Sequence, residues 1–134
     1  MDAFAASYRP DGVHRWSFRF GGAKANDMAF LAMGQDGVLY LAGRFSETID
    51  LGGGPLTAVG PDQTDIVVAS FDANGAHRWS MRLGGPQWDE ANGIAVDAGG
   101  NLYLIGTFSG EVDFGKGPLV AQGGSDRFVL KLAY

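Results

Sequence analysis

The segment His14-Arg15-Trp16-Ser17 returns as His77-Arg78-Trp79-Ser80, and most of the chain around it returns as well. The offset is 63 from Gly12/Gly75 through Trp16/Trp79, Gly21-Gly22/Gly84-Gly85, Leu39-Tyr40-Leu41/Leu102-Tyr103-Leu104 and Asp50/Asp113 to Gly54-Pro55-Leu56/Gly117-Pro118-Leu119. It then falls to 61, because the second copy is two residues shorter before Thr64-Asp65/Ser125-Asp126, beside the turn residues Gly60, Pro61 and Asp62. Repeat 1 therefore runs over about 2–64, repeat 2 over 65–125, and a partial third repeat over 126–134. In it Phe128 to Leu132 matches Val67 to Phe71 and Phe4 to Tyr8. A unit of this length at a fixed period cannot bury its apolar faces alone and has to stack on its neighbours.

Each copy divides into short β-like runs. In the second they are Ile66 to Phe71, Ala76 to Leu83, Asn92 to Val96 and Leu102 to Phe108. Two of the joints are tight polar turns, Asp72-Ala73-Asn74-Gly75 and Asp97-Ala98-Gly99-Gly100-Asn101, where Gly supplies positive φ. Glycine, 22 of 134 residues, is more than double its usual share of about 7% and sits between the apolar runs. No apolar period of 3.6 persists for three turns, so the chain reads as all-β. No stretch approaches the roughly 18 consecutive apolar residues of a membrane span, which predicts no membrane partner. A net charge of −5 with ten scattered Lys and Arg argues against nucleic acid. The absence of cysteine removes disulfides and thiolate chemistry but leaves the compartment open. No signal peptide is visible, as Met1-Asp2-Ala3-Phe4 opens directly into repeat sequence.

The stretch Ile94-Ala95-Val96-Asp97 followed by Asn101-Leu102-Tyr103 resembles the inner strands of NHL-type propeller blades. The longer string, with Asp65-Ile66-Val67, Gly75-Ala76-His77-Arg78-Trp79, Leu83-Gly84-Gly85 and Phe108-Ser109-Gly110-Glu111-Val112-Asp113-Phe114-Gly115, is similar to the bacterial β-propeller repeat named SBBP. The first copy departs from the pattern at Phe30-Leu31-Ala32-Met33-Gly34. The resemblance implies four-stranded antiparallel blades and an extracellular or cell-envelope location. It carries no common catalytic residues and no cofactor. Named outward from the propeller axis, the strands are A (Met28 to Met33; Asn92 to Val96), B (Val38 to Phe45; Leu102 to Phe108), C (Phe4 to Tyr8; Ile66 to Phe71; Phe128 to Leu132) and D (Val13 to Phe20; Ala76 to Leu83). The chain order is then C-D, A-B-C-D, A-B-C, which is about two blades, one of them incomplete.

Two blades cannot close a ring, and an uncovered face of about 500 Å² is worth on the order of 10 kcal/mol at about 25 cal/mol per Å². Closure is expected either from other copies of the chain or from neighbouring repeats of a longer array. In a ring, the incomplete A-B-C would recruit Val13 to Phe20 of the next copy, with the extra N-terminal C strand as a competitor.

Function is expected on the face that carries the D–A and B–C joints, the latter with an extra hairpin of Thr48 to Leu51 and Leu56 to Val59. The candidate ligand-binding residues there are Lys24, Asn26, Asp27, Gln87, Trp88, Asp89 and Glu90. Trp88 has Ala25 as its repeat counterpart, so the repeat does not need an aromatic there. Beside carboxylates it can stack a sugar or anchor a protein, or else it caps the edge of its own blade. Asp89 and Glu90 as paired acids for glycoside hydrolysis are the least favoured reading. No loop has the alternating acidic spacing of a calcium site, so no metal is expected. His14, Trp16, His77 and Trp79 read as blade-interface residues that share one strand face. The leading function is a non-catalytic scaffold for self-assembly or protein contact, with lectin-like glycan binding as the alternative.

Overall fold

The computed structural model describes residues 3–21 and 26–133, with the backbone alone of Asn26. It is all-β and repeat-like, with one 3-10 turn at Gln35–Gly37. Strand β1 (Ala3–Tyr8) pairs with β2 (His14–Phe20) as a two-stranded sheet. A central four-stranded sheet has the order β3 (Asn26–Met33), β4 (Leu39–Phe45), β7 (Asp65–Phe71), β8 (His77–Leu83). A C-terminal three-stranded sheet has the order β9 (Asp89–Val96), β10 (Leu102–Phe108), β13 (Asp126–Leu132). Every pairing is antiparallel, and the sequence order C-D, A-B-C-D, A-B-C reappears strand for strand in these three sheets. The extra hairpins are present as β5 (Thr48–Asp50) with β6 (Pro55–Thr57), and β11 (Glu111–Asp113) with β12 (Pro118–Val120). Their turns are tied by Asp50 and Asp113, whose carboxylates accept the N–H groups of Gly52 and Gly54, and of Gly115 and Gly117.

The three sheets form layers with two cores between them. Toward the N-terminal hairpin the central sheet turns Leu39, Leu41, Phe45, Val67, Ala69 and Phe71, against which Trp16, Phe18 and Phe20 pack. Toward the C-terminal sheet it turns Tyr40, Ala42, Ile66 and Val68, which meet Leu102, Leu104, Phe108 and Phe128. Strand β7 is consequently buried at all seven positions, as expected for a run that is apolar on both faces.

β-Bulges set where the side chains go. In β3, Asp27 pairs with Arg44 and Phe30 with Ala42, so Met28 and Ala29 stand opposite Gly43 alone. In β9, Ala91 pairs with Gly106 and Gly93 with Ile105, leaving Asn92 over. Glycine is required at both sites, since a Cβ on Gly43 would strike the backbone of Asp27 and Met28, and one on Gly106 the Glu90 carbonyl and the Phe128 ring.

Two expectations are corrected by this geometry. Histidine and tryptophan do not share a face, because Arg78 is the extra residue of a bulge in which His77 pairs with Phe71 while Trp79 pairs with Ser70. Trp79 points into the core toward the C-terminal sheet, whereas His77 lies edge-on to Phe71 at 5.8 Å, with its Nε2 3.1 Å from Ser80 Oγ. The same bulge at Arg15 leaves His14 exposed, edge-on to Tyr8 at 5.5 Å, while Trp16 packs inward. The second correction concerns strand starts: β9 begins at Asp89 and β3 at Asn26, so these acids and amides belong to strands rather than to loops. Asp89 draws the chain into the sheet early by accepting the N–H groups of Gly85 and Ser109.

Candidate functional site

The end of the layers where β4 and β10 finish and β7 and β9 begin gathers most of the candidate residues around a side chain that the repeat pattern did not single out. Arg44 projects from β4 toward the C-terminal sheet and donates to Glu90 Oε2 at 2.9 Å. Its other terminal nitrogen lies 3.7 Å from Asp27 Oδ2, and its guanidinium sits 6.0 Å from the Trp88 ring centroid. Glu90 is completed by Asn92 Nδ2, which donates to Oε1 at 2.8 Å, while Asn92 Oδ1 in turn accepts the Thr107 hydroxyl. The cluster thus ties the central sheet to the C-terminal one, and Trp88, half-buried, lies along it. A signal for Arg44 was present in the sequence, since it is a charge inside an otherwise apolar strand and its counterpart is Thr107.

Asp89 is turned the other way. It is fully buried, with its carboxylate engaged by Gly85 N at 2.7 Å and Ser109 N at 3.3 Å. Burial pushes its carboxyl above the usual carboxylate range and the nearby Asp65 charge adds to this, while the two N–H bonds and Arg82 oppose it. Asp65, also fully buried, accepts Arg82 at 2.6 Å and the N–H of Val59, while its Oδ1 has no partner. Arg82 further donates to the Gly84 carbonyl. Gly84, at φ +141, lets the two carboxylates sit beneath it, where a Cβ would touch both. Asp89 and Glu90 are thus adjacent in sequence but face different surroundings, and as a result they do not form an acid pair.

Gln87 is exposed, with its amide against Gly110, and Lys24 lies outside the described residues. Only the backbone of Asn26 is placed, opposite Phe45. The structure therefore brings Asp27, Trp88 and Glu90 together through Arg44 and separates Asp89 from them. Among the described residues no three of His, Asp and Glu are grouped so as to hold a metal ion. No helix among them is long and apolar enough to cross a membrane.

An apolar concavity lies elsewhere. A groove of about 320 Å³ runs beside β1 over the central sheet, lined by Phe4, Trp16, Leu31, Met33, Leu39 and Leu41 among others. Its lining is apolar, and Leu31 and Met33 are 66% and 56% exposed. The opposite end of the stack is similarly bare, with Val129 at 78% and Ile105 at 49%. Both exposures mark faces that lack a covering layer.

No family model matches this chain. It is similar to the regulatory protein FlaEY of Caulobacter vibrioides, 32% identical over 113 residues that cover 79% of the chain. The chain spans 11% of the length of that relative.

Proposed function

We propose that this chain is a non-catalytic β-propeller repeat module of the bacterial class its motifs resemble, a scaffold whose layers recruit further copies of themselves. The observation that carries this reading is the contrast in coverage. The central sheet is covered on both faces by layers written in the same repeat, whereas the outer faces keep exposed Leu31, Met33, Ile105 and Val129. The polar cluster at the loop-rich end supports a structural role too, because Arg44, Glu90, Asn92 and Thr107 satisfy one another across two sheets. That the similar stretch is a small part of a much longer relative fits a module used inside larger assemblies. An extracellular or cell-envelope setting follows from the resemblance alone.

Sedimentation equilibrium at micromolar concentration tests the reading. A mass that is a multiple of 14.1 kDa is the expected result. A monomer throughout the range would contradict a self-assembling scaffold.

A further inference from the structure

We propose that a second copy of this chain docks by strand exchange: its β2 leaves β1 and pairs with the free edge of β13, completing a four-stranded sheet from two chains. The proposal rests on the self-assembly reading and names the surfaces involved. Three observations carry it.

The first is the pairing itself. Strand β7 has β4 on one edge and β8 on the other, whereas its repeat equivalent β13 has β10 on one edge and, among the described residues, no strand on the other. The equivalent of β8 is β2, and β2 is held only by β1. Strand β1 is a weak competitor: it turns the small Ala3 and Ala5 toward the core and leaves Phe4 and Tyr8 mostly in solvent. An unpaired strand edge is a template for another chain.

The second is a missing charge partner. Asp65, at the head of β7, accepts Arg82 of β8 at 2.6 Å. Asp126 occupies the same position at the head of β13, yet its one hydrogen bond is to the N–H of Gln122 and no arginine reaches it among the described residues. The repeat equivalent of Arg82 is Arg19, on β2. Exchange brings the partner's Arg19 to Asp126.

The third is the match between the two bare faces. Ile94, Val96, Leu102 and Leu104 of the C-terminal sheet are covered by the central sheet through Tyr40, Ala42, Ile66 and Val68. Their equivalents one repeat earlier are Leu31, Met33, Leu39 and Leu41, which line the open groove. The equivalents of the covering residues are Tyr103, Ile105, Arg127 and Val129, on the outer face of the C-terminal sheet, three of them keeping an apolar or aromatic side chain. The two faces, of which Leu31 and Met33 on one and Ile105 and Val129 on the other are exposed, are therefore the counterparts of an interface that the chain already builds once, with Arg127 in place of Ile66. Because the halves differ, the contact is heterologous, and successive copies close into a ring or continue as a filament.

A reversible lock provides the test. Ala6 and Ser17 are register partners in the β1–β2 hairpin, both exposed, and the chain has no cysteine of its own. In Ala6→Cys/Ser17→Cys a disulfide holds β2 to β1, since facing residues of antiparallel strands lie within disulfide reach. The oxidised protein is expected to sediment as a monomer, and the same sample after reduction to assemble like the unsubstituted chain. In Leu130→Cys/Ser17→Cys, with the partner strand in the register that β8 takes on β7, oxidation is expected to give covalently linked multimers. If the locked protein assembles as well as the unlocked one, strand exchange is wrong while self-assembly stands. If the unsubstituted chain is a monomer, both are wrong.

Discussion

The central sheet and the C-terminal sheet are copies of one repeat, yet they are buried differently. Val68 and Val129 are the same residue at equivalent positions, the first 0% exposed and the second 78%. Asp65 and Asp126 are the same residue too, one sealed under Gly84 with an arginine on it and the other partly open to water. The sequence of a strand in this chain does not by itself determine its environment; the neighbouring layer does. The outer face of the second copy is also more polar. Where β7 has Ile66 and Ser70, β13 has Arg127 and Lys131, with Lys131 over the Tyr103 ring at 5.4 Å.

The widest gap between the two copies is expected at the aspartates. Arg82→Ala leaves the buried Asp65 charge without its counter-ion, at a cost of about 3 kcal/mol. Asp126→Ala is expected to cost less than about 1 kcal/mol in the monomer. Urea unfolding of both variants measures the difference, and equal losses would remove the distinction between the layers. Next come the valines. Val68→Ala empties space between two sheets and is expected to cost about 2 kcal/mol, while Val129→Ala stays within about 0.5 kcal/mol. The same unfolding experiment at concentrations low enough to keep the chain monomeric reads both values.

A smaller contrast lies in the turns. Gly12 and Gly75 are repeat equivalents with φ of +83 and +81, but a Cβ on Gly12 meets nothing, whereas one on Gly75 sits 2.8 Å from Cδ2 of Trp16. Both alanine variants carry the left-handed penalty, and Gly75→Ala is expected to lose about 1 kcal/mol more because Trp16 has to move off the turn. Trp16 fluorescence is expected to shift in Gly75→Ala and not in Gly12→Ala, against the constant background of Trp79 and Trp88.

The smallest contrast is one of pH. Asp97 accepts the N–H groups of Gly99 and Asn101, the Asn101 amide and the Tyr103 hydroxyl, and foremost the Asn101 side chain holds its carboxyl down at about 2. Its folded pKa lies below the unfolded one, so its contribution is complete above the ordinary value of 3.8 and fades as pH falls toward about 2. Gly34 stands at the equivalent place in the first copy and has no carboxylate to titrate. Amide protection in 97–101, taken relative to the intrinsic exchange rate at each pH, is expected to fall over that window, with no matching change traceable to Gly34 in the 34–38 turn.

Much of the architecture was legible in the sequence because it follows from period and alternation. The order of strands in the three sheets is the one that the propeller resemblance implies once it is laid on the phase of the repeat. The two extra hairpins were visible from short apolar runs around Gly52 to Gly54. What escaped depends on single extra residues and on partners from other layers. Arg78 looks like one more residue of an alternating strand, yet as a bulge it sends His77 and Trp79 to opposite faces. Asp89 looks like a loop acid, although the two N–H groups that hold it come from 85 and 109, a meeting that the period does not specify. Arg44 is marked in the sequence as a charge inside an apolar strand, but its partner Glu90 belongs to the next layer, a pairing that the period does not specify.

Residue-resolved hydrogen exchange on the dilute monomer and on the concentrated protein tests the central claim, that coverage by a neighbouring layer rather than strand sequence sets burial. The account predicts the slowest amides in β4 and β7 at both concentrations and fast exchange along β1 and the free edge of β13 when dilute. On concentration, β13 is predicted to gain protection while β1 gains none. Amides of β13 as slow as those of β7 in the monomer, or indifferent to concentration, would contradict it.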